Sequence, residues 1–209
     1  ARSITYRLMN GSDNEENQCD KIMIMRTNKV FIPEVFFTND CLTGEDVVKS
    51  TRVLGDLDGV FQDKEAYGKM NKEQVVYHVS SYLPVLESTP GGLFMGITTL
   101  YSGKVGQEYF MTKGHFHSNS DRAEFYWGVE GEGFLILMDE RRNVWAERMF
   151  PGSLHYIPGK VAHRVANTGY QKLVFSACWP SDAGHDYATI ADTGFARRLV
   201  DVNGVPTLV

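Results

Sequence analysis

Thr112-Lys113-Gly114-His115-Phe116-His117-Ser118-Asn119-Ser120-Asp121-Arg122-Ala123-Glu124-Phe125-Tyr126 is the stretch on which the reading of this chain turns. His115, His117 and Glu124 have the chemistry of metal ligands. On a strand, side chains two residues apart share a face, so His115 and His117 are expected to converge while Phe116 points away. Neutral imidazoles with a carboxylate suit a divalent transition metal such as iron, manganese, nickel or zinc. One histidine on a strand is ordinarily just a satisfied or solvated side chain. Two at i, i+2 with a carboxylate soon after are a stronger pattern.

Outward from this stretch, the chain reads as short strands separated by turn residues. Val75 to Val79, Leu93 to Tyr101 and Tyr109 to Thr112 are expected strands, with Thr89-Pro90-Gly91-Gly92 a turn between the first two. Phe125 to Val129 and Phe134 to Met138 should pair across the hairpin turn Glu130-Gly131-Glu132-Gly133. Val144 to Phe150, Leu154 to Ile157, Val161 to Ala166 and Leu173 to Cys178 continue the series. Regular spacing of this kind marks an all-β sandwich or barrel. A short helix is expected between Gln62 and Met70, with Asp63 as its cap. Gly55-Asp56-Leu57-Asp58-Gly59 lacks the spacing and closing Glu of a calcium loop and reads as a tight turn. Near the start, Lys21 to Met25 and Val30 to Ile32 are candidate peripheral strands, and Asp13 to Asn17 a solvated loop. Residues 1–74 are expected to form an extension of strands and a short helix packed on a barrel of residues 75–209.

A fourth ligand candidate lies in Gly152-Ser153-Leu154-His155-Tyr156-Ile157-Pro158-Gly159-Lys160-Val161-Ala162-His163-Arg164-Val165-Ala166-Asn167. This segment resembles the second cupin motif, Gly-x5-Pro-x-Gly-x2-His-x3-Asn, through Gly152, Pro158, His163 and Asn167. Its inner glycine is at 159, and Lys160 takes the usual glycine slot. The opening stretch resembles the first cupin motif, with Gly131 following Glu124 after six residues, but the step from His117 to Glu124 is longer than the common form. Together with Pro180-Ser181-Asp182-Ala183-Gly184-His185-Asp186-Tyr187, that longer step resembles the cupin-type glucose-6-phosphate isomerases, from about Tyr77 to Val200.

The resemblance implies an all-β double-stranded β-helix (jelly-roll) barrel that forms a homodimer. It implies one divalent ion per subunit, iron(II) before manganese, nickel or zinc, held by His115, His117, Glu124 and His163. The implied reaction interconverts glucose 6-phosphate and fructose 6-phosphate, a step of glycolysis and gluconeogenesis. Either Glu124 moves the C2 proton through an enediolate, or hydrogen passes from C2 to C1 as a metal-assisted hydride shift. Thr98, Thr112 and the Gly114 backbone resemble positions near the phosphate, and hydroxyls and amides hold phosphate without net basic charge. Tyr77, His185 and Tyr187 resemble residues lining the sugar, His185 as an acid or base in ring opening. Trp179 stands where a Tyr would be unsurprising. His78 and His155 are expected to be structural. The competing readings are another cupin metalloenzyme, such as a mannose-phosphate isomerase or an oxygenase, and a non-catalytic sugar- or metal-binding cupin.

The composition sets outer limits. A chain of 209 residues with 43% apolar and 22% charged residues can bury a real core. A formal charge of -5 argues against a nucleic-acid partner. Three scattered cysteines, Cys19, Cys41 and Cys178, form neither a disulfide framework nor a C-x-x-C pair, so a reduced cytoplasmic setting is expected. No apolar run is long enough to span a membrane, and no positively charged start leads into an apolar signal region.

Overall fold

The computed structural model describes residues 26–27, 30–38 and 40–209. The chain divides into two compact units, Ala1–Glu34 and Val35–Val209. In the first, strands β1 (Arg26–Thr27) and β2 (Val30–Phe31) form an antiparallel pair. The expected strand at Lys21 to Met25 and the loop at Asp13 to Asn17 lie outside the described residues.

The second unit is all-β apart from two short helices. Strands β3 (Phe36–Thr38) and β4 (Cys41–Thr43) pair with each other. Strand β5 (Val47–Val53) leads into a 3-10 turn at Leu54–Leu57 and then helix α1 (Lys64–Lys69). The Asp63 side chain accepts from the Ala66 N–H at 2.8 Å, as the sequence pattern predicts for the cap. Next come β6 (Val75–Tyr82), β7 (Leu93–Leu100), β8 (Lys104–Val105), β9 (Glu108–Tyr109) and β10 (Glu124–Glu130). They are followed by β11 (Gly133–Asp139), β12 (Val144–Met149), β13 (Leu154–Ile157), β14 (Val161–Asn167) and β15 (Leu173–Pro180). Helix α2 (Ala188–Ala191) and strands β16 (Leu199–Val202) and β17 (Val205–Leu208) close the chain. These last three were not foreseen, because four-residue elements carry no readable period.

Two sheets make the barrel. One has the order β13-β10-β15-β7-β6-β5, the other β12-β11-β14. The second is extended by residues 111–115, which pair with β14 through bridges Met111↔Ala166 and His115↔His163. From β7 onward the chain switches sheets repeatedly: residues 111–115 lie in the second, β10 in the first, β11 and β12 in the second, β13 in the first, β14 in the second, β15 in the first. This alternation is the jelly-roll topology, and it overturns the expected hairpin: β10 pairs with β13 and β15 while β11 pairs with β12 and β14, so residues 130–133 carry the chain from one sheet to the other. The alternation brings the middle of the chain, where the histidines are, into the space between the sheets.

Every residue of β14 is buried. One face joins Leu135, Leu137 and Phe175 in the barrel interior. Ile190, Phe195 and Leu199 belong to the same apolar cluster. A strand covered on both faces leaves little room for misplacement, and this strand carries His163.

Candidate metal centre and substrate cavity

The hydrogen bonds of the paired strands place two of the candidate donors, His115 and His163, side by side. His115 N–H donates to the His163 carbonyl at 3.3 Å, and His163 N–H returns to the His115 carbonyl at 3.1 Å. The two rings stand 4.4 Å apart, edge to face. His117 follows two residues after His115, its ring 5.7 Å from the first. Residues 111–117 form no continuous strand; the shared face comes from isolated bridges instead. Glu124 opens β10 in the opposite sheet, so the donors meet between the sheets. One donor atom from each of His115, His117, Glu124 and His163 lies within 4.8 Å of all the others.

The proton inventory tests whether a cation suits this cluster. His117 Nδ1 lies 2.8 Å from the Arg122 carbonyl, and His163 Nδ1 lies 3.3 Å from the Val161 carbonyl. A carbonyl only accepts, so each Nδ1 carries the proton and each Nε2 presents a bare lone pair. Glu124 Oε1 is 3.3 Å from His117 Nε2 and 2.5 Å from His163 Nε2. The approach to His163 is not aligned as a hydrogen bond, and both Glu124 Oε1 and His163 Nε2 are buried without a partner. Buried lone pairs facing one another repel and are costly to leave unpaired. A divalent cation would satisfy them all, so the donor set fits one.

The electrostatics agree with this assignment for His115 and Glu124; His117 is the exception, because the adjoining carboxylate favours a proton on it. Burial, with His163 and His185 adding to it, pushes His115 well below the usual histidine range, so it is neutral and able to ligate. For Glu124 burial alone would raise the carboxyl; the neighbouring His163 and His117 outweigh it and hold it at about 2. Burial lowers His117, but Glu124 reverses that and leaves it raised.

A cavity of about 240 Å³ opens above the cluster. It is lined by Tyr77, Thr98, Thr112, Gly114, His185 and Tyr187, all anticipated from the sequence, as well as by His115, Glu124 and His163. His117 lies behind them, 8% exposed. The His185 ring is 4.4 Å from that of His115 and stacks on Tyr187 at 5.8 Å. Burial lowers His185 below the usual histidine range. Burial carries Tyr77 up to about 12, against the lowering effect of the Lys113 backbone amide beside it. Trp179 also lines the cavity and packs edge-on against Phe94 at 6.1 Å.

Sequence reasoning passed over several members of this wall. Tyr126 stacks on Phe175 and meets His163 edge-on, and burial raises its hydroxyl far above the usual range. The strand alternation that paired His115 with His117 also sets Tyr126 on the Glu124 face, so that signal was available. Arg52 and Lys113 line the cavity too and bring positive charge to it. Arg52 comes from β5, a strand with no motif to flag it, paired in register with Tyr77. His78 and His155, expected to be structural, do have partners. His78 Nδ1 is 2.8 Å from Thr51 Oγ1, and His155 lies between Glu147 at 2.7 Å and Ser153 at 2.9 Å.

A jelly-roll barrel with three histidines and a glutamate converging between its sheets defines a cupin. The glucose-6-phosphate isomerase family model matches residues 51–207. Glucose-6-phosphate isomerase of Thermococcus litoralis is 46% identical over 162 residues, covering 77% of this chain and 84% of that one. The Pyrococcus furiosus enzyme of the same name is 41% identical over 77% of this chain and 85% of its own. A protein of Rhizobium meliloti called putative glucose-6-phosphate isomerase 1 is 38% identical, over 70% and 69%. Among solved structures, an oxalate oxidase is similar with a TM-score of 0.42 and 10% identity, over 69% of this chain and 56% of that one. The chain belongs to the glucose-6-phosphate isomerase family and is an isomerase.

Proposed function

We propose that this protein interconverts glucose 6-phosphate and fructose 6-phosphate in the cavity above the His115, His117, Glu124 and His163 cluster. The observation that carries this reading is the pairing of an unsatisfied three-histidine, one-carboxylate donor set with a cavity lined by hydroxyls, a glycine backbone and two cations. When bound there, a divalent ion, with iron(II) the first candidate, would polarise the sugar oxygens as a Lewis acid. Thr98, Thr112 and the Gly114 amide hold the phosphate, with Lys113 and Arg52 adding charge attraction. Tyr77 and Tyr187 flank the sugar. Their raised pKa values keep both hydroxyls protonated and able to donate to sugar oxygens. His185, neutral at physiological pH, can take a proton from the anomeric hydroxyl and return it to the ring oxygen, which opens the ring.

Two routes then lead from aldose to ketose. In one, Glu124 takes the C2 proton to leave an enediolate and delivers it to C1, while the O2 proton is relayed to O1. In the other, the C2 hydrogen passes to C1 with its electron pair, and the O2 proton is relayed to O1. A carboxylate engaged as a metal donor is a weaker base toward a carbon acid, which favours the second route. Cytoplasmic operation in glycolysis or gluconeogenesis follows from the reading. A homodimer is part of it, supported by Phe125, Leu154 and Tyr156, exposed by 45%, 68% and 56% on adjacent strands β10 and β13.

The test is conversion of fructose 6-phosphate measured in a coupled assay before chelation, after it, and with single divalent ions restored. Loss on chelation and recovery with one or more ions is expected. No turnover with any ion would sink the proposal. Run on glucose 6-phosphate deuterated at C2, the same reaction should keep the label at C1; wash-out to solvent would favour Glu124 as the base.

A further inference from the structure

We infer that Arg164 is a positioning residue for the anion-holding side of the cavity, acting through the carbonyl of Lys113. This rests on the reading of Thr112 to Gly114 as the phosphate-holding segment. Arg164 follows His163 in β14, and strand alternation turns it to the opposite face. It is 6% exposed. Its Nη2 donates to the Lys113 carbonyl at 3.1 Å, its Nη1 lies 3.1 Å from Met111 Sδ, and its plane sits over the Phe195 ring at 4.0 Å. Nε has no partner.

The geometry of one peptide group gives these contacts their meaning. A trans peptide is planar, with its carbonyl and its N–H pointing in opposite directions, and the described residues contain no cis bond. Holding the Lys113 carbonyl beneath the segment therefore turns the Gly114 N–H the other way, toward the cavity that Gly114 lines. Thr112 is clamped to the same strand: its N–H donates to the Val165 carbonyl at 2.9 Å and its Oγ1 accepts from the Val165 N–H at 3.1 Å. Gly114 has φ of +77°, and a Cβ there would stand 2.9 Å from Arg164 Nε and 3.0 Å from Phe195 Cε2. Guanidinium, ring and segment are packed as one unit.

The cost of this arrangement argues for a purpose beyond packing. A buried cation ordinarily has a carboxylate partner, and among the described residues Arg164 forms no ion pair. An apolar side chain would hold β14 to Phe195 with less desolvation. An apolar side chain could not orient the Lys113–Gly114 peptide, nor set positive charge beneath the place where a dianion arrives.

The experiment compares wild type, Arg164→Met and Arg164→Lys as full-length, metal-loaded proteins of verified metal content. Steady-state kinetics on fructose 6-phosphate are read beside calorimetric titration with inorganic phosphate. Arg164→Met should raise KM and the phosphate Kd about tenfold, the scale of one lost charge-assisted hydrogen bond, while kcat changes far less. Arg164→Lys should recover part of the loss, since an ammonium can donate to the carbonyl but has neither fork nor stacking plane. Unchanged KM and Kd in Arg164→Met would overturn the inference, as would a fall in kcat with KM unchanged. If Arg164→Met shows no cooperative melt, Arg164→Lys decides alone: raised KM with retained kcat supports the inference, and wild-type values overturn it. If a wild type that turns over no sugar still binds phosphate, the isomerase reading falls and the phosphate Kd decides the inference alone, weakened in Arg164→Met supporting it and unchanged overturning it; no phosphate binding by wild type would sink the inference itself.

Discussion

Gly159 and Lys160 show how much depends on single backbone positions. Lys160 has φ of +64°, the left-handed region that costs a residue with a Cβ roughly 1–2 kcal/mol. Its slot is the one the second cupin motif ordinarily gives to glycine. The glycine one place earlier has a different reason: a Cβ at 159 would stand 2.7 Å from the Ser120 carbonyl oxygen. These two facts predict opposite outcomes for neighbouring substitutions. Lys160→Gly should leave stability unchanged or raise it by up to about 1 kcal/mol, since relief of strain offsets the added chain entropy. Gly159→Ala should lower it by more than that, because the obstacle is backbone and cannot turn aside. Thermal melts of both read the sign directly, and a stabilised Gly159→Ala would show that the loop yields.

At the scale of elements, the long step from His117 to Glu124 has a structural job. Its residues fold back so that the Arg122 carbonyl accepts a hydrogen bond from His117 Nδ1, which fixes the tautomer of that candidate donor. The Arg122 guanidinium grips Asp182 with two bonds, of 2.8 and 2.6 Å, and so ties this loop to the segment bearing His185. At the other end of β14, Asn167 does comparable work without touching the cavity. Fully buried, it donates to the Leu100 and Gln171 carbonyls at 2.8 and 2.7 Å and accepts from the Gly169 N–H at 2.9 Å. Asn167→Ala would strand the buried Leu100 carbonyl, strip a partner from the part-buried Gln171 carbonyl and Gly169 N–H, and empty a fully buried site, a loss of about 2–4 kcal/mol. For a domain of this size that is a fall in Tm of roughly 5–15 °C. Differential scanning calorimetry checks it. A fall of only a degree or two would mean that water replaces the side chain.

The whole molecule brings loops from both sheets to one mouth, and the Arg122–Asp182 link is the clearest brace between them. Hydrogen bonding from Arg122 holds the Asp182 carboxyl below the ordinary carboxylate range. A group depressed in this way stabilises the fold above its unfolded pKa, near 3.9, and loses that contribution as pH falls through the folded value. The difference in Tm between wild type and Asp182→Asn should therefore be present at neutral pH and shrink below about pH 4. Melts across that range decide the matter; a gap that does not shrink at all as pH falls below 4 would show that Asp182 acts by something other than its charge.

The sequence by itself marked His115, His117 and Glu124 as candidate donors and most of the strands around them, because ligand chemistry, period-two alternation and turn residues are local signals; His163 and the cavity-wall residues came from the resemblance to the cupin-type glucose-6-phosphate isomerases. It could also mark Asn167 and the long loop as unusual, though not what either one holds. Arg52, Tyr126 and Arg164 acquire their roles from tertiary structure. Arg52 precedes Lys113 by 61 residues in the chain and meets it only across a shared cavity. Arg164 looks in sequence like any charged residue after a motif histidine. Only the alternation of a strand buried on both faces, with Phe195 folded back beneath it, puts that charge under the peptide group between Lys113 and Gly114. The opening stretch thus carries its candidate donors in the open, while the contacts that hold its backbone come from residues that no motif names. The physical reason is that ligands are chosen for chemistry, which a residue's identity records, and their supports are chosen for position, which only the packed fold creates.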